Sequence, residues 1–271
     1  MTARQRYAEE LAALADEEAP AYLTKRSGLP GPRANLELLA AFGDAAPASL
    51  VVRLADDVDE YLRCCGTAAL GRLWLEAPDE PTAHGPDEPA AGLGPDEPAA
   101  ARLSGGSVRA MWSGAAVRQR LEATLTDRAR DPSWRVREGA ARAAQRIGAA
   151  SPEGLAGLVG RWLRTGEPLV ARAAIAAVCE PPILRPSPLL RAAALDACAG
   201  ATAILRSVPV PQRRDPDVRT LRQGLAYCWS VAVAASPANG LPRFLSLGTD
   251  DPDVAWLVAQ NRTKARLAKL L

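Results

Sequence analysis

Four copies of one short phrase divide the second half of this chain: an acidic residue, a proline, any residue, then an apolar one opening an alanine-rich stretch. They read Asp131-Pro132-Ser133-Trp134, Glu167-Pro168-Leu169-Val170, Asp215-Pro216-Asp217-Val218 and Asp251-Pro252-Asp253-Val254. Their starts lie 36, 48 and 36 residues apart, the spacing of an array whose unit is a pair of helices. An acidic residue followed by proline suits a helix entry, because the first helical position has no intrahelical use for the N–H that proline lacks. Long β-branched alternating runs are absent, which argues against a sheet, and the phrases predict an all-α fold, with Asp131, Arg137, Asp215 and Asp251 as structural positions of the repeat.

Composition narrows how such helices pack. The chain has 271 residues, 48% hydrophobic but only 4% aromatic, so its core is Ala, Leu and Val, which let helix backbones approach closely. Helices are expected over 4–18, 36–42, 48–56, 59–76, 115–129, 133–147, 155–164, 169–179, 189–206, 217–235, 243–247 and 253–270. Asn35 is the expected N-cap of the second, and Pro181-Pro182 ends the helix before it. In 133–147, Val136, Ala140, Ala143, Ala144 and Ile147 share one side, while Arg135, Glu138, Arg142 and Arg146 form a charged ridge. Trp229 and Trp256 are expected in the core, whereas Trp112 and Trp134 are less committed. Between 77 and 106 the sequence changes: Pro-Asp-Glu-Pro occurs three times, with six prolines in 21 residues. Proline at that density forbids regular structure and predicts a disordered acidic insertion. The organisation expected is N-terminal repeats over 1–76, the insertion over 77–106 and C-terminal repeats over 107–271, in one continuous array.

The formal net charge of +2 conceals a division. Residues 1–101 carry 8 Lys and Arg against 18 Asp and Glu, whereas residues 102–222 carry 20 against 10. A basic middle can meet an anionic partner, or can be neutralised by the acidic third. If it meets phosphate, Arg118, Arg120, Arg135, Arg142, Arg146 and Arg172 are the residues that would do so; the alternative is a solvated face. Lysine occurs only at 25, 264 and 269, a bias that, with abundant Ala, Gly and Pro, reads as a bacterial genome rich in G and C.

Several chemistries are excluded. The only histidine is His84, within the insertion, so histidine triads and histidine metal sites are out. Phosphate-cradling glycine loops are absent. Five cysteines (64, 65, 179, 198, 228) make no C-x-x-C pair and read as reduced thiols of a cytoplasmic protein. The acidic N-terminus predicts no signal peptide. The uncharged run 223–242 is interrupted by Ser230, Ser236, Pro237, Asn239 and Gly240, a pattern of buried helix and turn rather than membrane span. No metal, cofactor or catalytic residue is expected. The remaining enzymatic candidates are Cys179-Glu180 and the Arg33-Asn35 turn, each with a bland alternative in helix-end solvation or plain capping.

The run from Asp131 through Arg135-Val136-Arg137 to Ile147 resembles a HEAT repeat. Residues 167–180 and 215–233 resemble it less closely, and 251–267 is a degenerate terminal copy. Together with the runs Ser27–Leu38, Cys179-Glu180-Pro181 and Leu225–Ala234 and the C-terminal phrase Asp251-Pro252-Asp253-Val254-Ala255-Trp256, this is similar to a group of uncharacterised bacterial HEAT-repeat proteins. The resemblance implies an α-solenoid of helix pairs and, from it, an interaction scaffold holding a protein partner on a concave face. A second architectural resemblance, to HEAT-like alkylpurine DNA glycosylases, implies nucleic-acid binding; the W-D-x-V-D pattern of one branch is absent here.

Overall fold

The structure is a computed structural model, described over residues 1–31, 33–78 and 114–271. Expectations for most of the 77–106 insertion, for His84 and for Trp112 fall outside those residues. Within them the chain is all-α: α1 Ala3–Ala12, α2 Ala19–Lys25, α3 Leu36–Ala45, α4 Ala48–Ala55, α5 Glu60–Glu76, α6 Gly114–Ala129, α7 Trp134–Ala150, α8 Pro152–Arg164, α9 Pro168–Val178, α10 Pro181–Leu184, α11 Pro188–Ser207, α12 Pro216–Ala235, α13 Pro237–Leu245, α14 Pro252–Arg262 and α15 Ala265–Ala268, with a 3-10 turn over Val210–Arg214.

Sequence order is also spatial order. Helix α5 packs on α7, α7 on α9, α9 on α12 and α12 on α14, while α4, α6, α8, α11 and α13 each pack on a member of that row. Close approach explains the longest contact, between α5 and α7. A Cβ at Gly71 would sit 2.3 Å from the Ala143 carbonyl oxygen, so only glycine admits the neighbouring backbone there. The buried residues form one continuous cluster from Ala19 to Leu267. Trp162 and Trp229 are its largest fully buried members. Their indole N–H groups donate to Thr126 Oγ1 at 2.9 Å and Thr202 Oγ1 at 3.0 Å, the partner a buried indole needs.

Several expected boundaries move. The helix expected over 4–18 stops at Ala12; the Glu18 carboxylate accepts the Ala15 N–H at 3.0 Å in the turn that follows, and α2, which was not expected, opens at Ala19 with Pro20 in its first turn. Pro181-Pro182 does more than end a helix: it opens the single turn α10, where proline is tolerated. The closing helix expected over 253–270 breaks at Thr263. Just before that break, fully buried Asn261 reaches into α12, accepting the Ser230 N–H at 2.8 Å and donating to the Leu225 carbonyl at 2.9 Å. Trp256 is not core; it is 36% exposed, with the Arg222 guanidinium 4.6 Å above its ring.

Helix α11 is, among the described helices, the one long and apolar enough to cross a membrane. Its Leu190, Leu195, Cys198 and Leu205 are buried, and it packs between α9 and α12, as a core helix does.

Candidate functional site

The turn phrases differ in detail from their sequence reading. At the first, Ser133 rather than Asp131 is the N-cap, accepting the Arg135 N–H at 3.2 Å, and Pro132 precedes the helix. Asp131 instead accepts the Ser133 N–H at 2.8 Å and a bidentate pair from Arg63 at 2.7 and 3.2 Å. Glu167, Asp215 and Asp251 are N-caps followed by proline, but only the Asp251 side chain accepts amides, from Asp253 and Val254. Three of the four acidic residues receive an arginine from the preceding segment: Arg63 to Asp131, Arg130 to Glu167 at 2.6 Å, and Arg213 to Asp251 at 2.5 Å. Asp215 is exposed, with no side-chain cap bond.

Two further turns belong to the set and escape a search for acid-proline. Arg137 donates to the carbonyls of Asp131 and Pro132. Arg63 does the same to Asp57 and Val58, and Arg191 to Leu184 and Arg185. Asp57-Val58-Asp59 lacks the proline and Arg185-Pro186-Ser187 lacks the acid. The arginine six residues after the turn's first residue is the signal that finds all three. Burial, more than any carboxylate, sets the state of Arg137, holding its guanidinium below the usual arginine range.

The candidate phosphate contacts come together only in part, and most already have partners. Arg135 meets Glu60 at 2.7 Å and lies 4.8 Å over the ring of Trp134, which is 56% exposed. Arg146 meets Asp44 at 3.0 Å and the Gly43 carbonyl at 3.0 Å. Arg172 and Arg142 flank Glu138 at 3.3 and 3.9 Å. Arg118 stands over Trp74 and donates to the carbonyls of Trp74 and Ala77. Arg120 is exposed and makes no ion pair among the described residues. Carboxylates of the acidic first third thus reach two of the six.

At the Arg33-Asn35 turn the Asn35 side chain is engaged within the fold. The Asn35 amide oxygen caps α3 by accepting the Leu38 N–H at 3.1 Å, and its amide nitrogen donates to Tyr7 Oη and the Arg26 carbonyl at 3.0 Å each. At the other candidate, Cys179 and Cys198 are buried with their sulfurs 3.7 Å apart. The hydrogen bond to Cys198, aided by burial, pushes the Cys179 thiol well up, and the Cys228 thiol moves the same way. Burial likewise pushes the Cys64 thiol up to about 12. Thiols held protonated are poor nucleophiles, so Cys179 reads as core. Among the described residues no cluster of His, Cys, Asp and Glu can hold a metal ion.

Helices α7, α9 and α12 leave a groove of about 390 Å³ between them. Glu138, Arg172, Glu180, Gln223 and Tyr227 line it, giving both signs of charge, an amide and a phenol. Tyr227 is 46% exposed and stands at the border with a second cavity of about 510 Å³.

No protein-family model matches this chain, and no curated protein matches it. Among solved structures it is similar to the crystal structure of an engineered protein, at 15% identity over 100% of this chain and 98% of that one, with a TM-score of 0.34. A superposition that loose bears on neither fold nor function.

Proposed function

We propose that this chain is a HEAT-type α-solenoid acting as a non-catalytic scaffold in the reducing cytoplasm of a bacterium, holding a protein partner in the groove of α7, α9 and α12. The repeat reading is supported by the row α5, α7, α9, α12, α14, in which each helix packs on the next, and by the arginine that ties one turn phrase to the preceding unit. Contacts confined to neighbours are what such arrays are built from. Five unpaired cysteines agree with a reducing compartment.

The observation that carries the scaffold reading is the mixed lining of the groove. A duplex-binding face needs an excess of arginines free to release counterions from phosphate. Here Arg172 and Arg142 share Glu138, and Arg135 and Arg146 end on Glu60 and Asp44. A lining of both charge signs with an exposed tyrosine suits a polypeptide surface better.

Two measurements test it. In fluorescence anisotropy at physiological salt, duplex DNA of mixed sequence is expected to bind no tighter than micromolar. Sub-micromolar binding lost on replacing Arg135, Arg142 and Arg146 by Ala overturns the scaffold reading in favour of a nucleic-acid binder. In co-purification from the native cell, Thr220→Arg with Gln223→Arg is expected to remove a partner that Lys25→Ala retains; equal retention by both places the partner elsewhere.

A further inference from the structure

The cavity of about 510 Å³ beside Tyr227 differs from the groove next to it in the fate of its arginines. Its floor is apolar, made by Leu184, Val231 and Ala235. Its rim carries three guanidinium groups, from Arg185, Arg191 and Arg266, together with the Tyr227 ring. No carboxylate lines it; Glu180, the acid nearest in sequence, lines the groove on the other side of Tyr227.

Arg266 and Arg191 are held by neutral groups, and Arg185 has no polar partner among the described residues. Arg266 lies 4.7 Å over the Tyr227 ring and donates to its Oη at 3.0 Å, which fixes the guanidinium plane. Arg191 spends one nitrogen on the carbonyls of Leu184 and Arg185. The Arg185 side chain is exposed and has no hydrogen bond or ion pair among the described residues. The residues lining the cavity therefore bring three positive charges and no formal negative one. Helix α12 ends at Ala235, and a helix C-terminus contributes about half a negative charge, which three guanidinium groups outweigh. Three arginines lining one apolar hollow bring charge of one sign to it, and an anion balances that charge.

We infer that this cavity is a binding site for a carboxylate carried on an apolar body. The planar guanidinium of Arg266, pre-oriented by Tyr227, offers the paired N–H donors that a carboxylate takes, and Leu184, Val231 and Ala235 shelter the tail. The volume lies within the range of ordinary small-ligand sites, about 300–1,000 Å³. A fatty-acid-like molecule and the C-terminal residue of a peptide share this chemistry. The site shares only Tyr227 with the groove proposed above for a protein partner, and its test does not depend on that partner.

Isothermal titration calorimetry on the full chain tests the assignment with four probes: octanoate, octanamide, sulfate and a short peptide ending in leucine with a free carboxylate. Octanoate or the peptide is expected to bind saturably, with octanamide about tenfold weaker or more, the worth of one charge-assisted pair, and sulfate weaker still. Whichever of octanoate and the peptide binds tighter identifies the source of the carboxylate. Arg266→Gln and Arg185→Gln are each expected to weaken that probe by about tenfold. Because the Arg185 side chain makes no hydrogen bond or ion pair among the described residues, its replacement reads binding alone. Ala234→Leu, which narrows the same cavity, is expected to weaken binding with the melting temperature retained. No binding of octanoate or the peptide, equal affinity for octanamide, equal affinity for sulfate, or undiminished affinity in both Arg185→Gln and Ala234→Leu overturns the inference.

Discussion

Between α5 and α7 the arginines end on carboxylates; beside Tyr227 they end on carbonyls, a phenol or solvent. Both regions draw on a basic stretch of chain, and both put guanidinium groups over aromatic rings, Arg135 on Trp134 and Arg266 on Tyr227. What separates them is the neighbouring segment. The first region packs against the acidic first third, which supplies Glu60 and Asp44. The second packs against α10, α12 and the last residues, whose cavity lining holds no acid. A local surplus of one sign is therefore a property of which segments meet, and a fractional charge along the chain does not reveal it.

The largest effect that would sharpen the contrast concerns the core behind the second region and the surface next to it. Trp229→Ala is expected to cost about 3–5 kcal/mol by opening a cavity in the cluster around α12, read as a lowered denaturant midpoint with unchanged m. Trp256→Ala, at the surface under Arg222, is expected to cost about 1 kcal/mol or less. Comparable losses would show that Trp256 carries packing its exposure does not suggest.

Next is a pair of replacements at equivalent residues of the same phrase. Asp131→Ala removes the bidentate partner of Arg63 and the acceptor of the Ser133 N–H, and both side chains of that pair are mostly buried. Leaving a guanidinium buried without its carboxylate is expected to cost about 3 kcal/mol. Asp215→Ala, exposed and with no side-chain cap bond, is expected to cost about 0.5 kcal/mol or less. Thermal melts of the two variants check this, and equal shifts would break the claim that the phrase plays different parts at its different copies.

The smallest effect is on pH. The hydrogen bond from Arg130 holds the Glu167 carboxyl below its ordinary value of 4.5. A depressed carboxylate contributes stability that is present above that ordinary value and disappears as pH falls through the folded value. Because the unfolded chain takes up the proton first, the advantage of wild type over Glu167→Gln is expected to fade below about pH 4.5. The side chain is 43% exposed, so the difference at neutral pH is expected to be under about 1 kcal/mol. A constant difference down to pH 3, followed by urea titration, would remove the pair from the account of stability.

Much of the helical pattern is legible in the sequence. Proline after an acid announces a helix entry, and Val136, Ala140, Ala143, Ala144 and Ile147 at helical spacing announce the face that is buried. Trp229, in an uncharged run, reads correctly as core; Trp256 reads the same way and is wrong, because it faces Arg222 across the α12–α14 contact. The equivalence of the turns at Asp57 and Arg185 was within reach only through the arginine six residues on, since one copy lost its proline and the other its acid. The cavity was not legible at all. Arg185, Arg191, Tyr227 and Arg266 belong to different segments, and their convergence depends on α10, α12 and the residues after α14 meeting at one place.

What the chain by itself determined is local: where helices begin, which faces are apolar, and which chemistries its lone histidine and unpaired cysteines exclude. These follow from backbone hydrogen bonding and 3.6-residue periodicity, which act over a few residues. Tertiary structure decided which arginines are neutralised and which are left over. Ion pairs such as Arg63–Asp131 and Arg146–Asp44 join residues 68 and 102 positions apart. Coulomb energy depends on distance through space, and that distance exists only once the helices have packed.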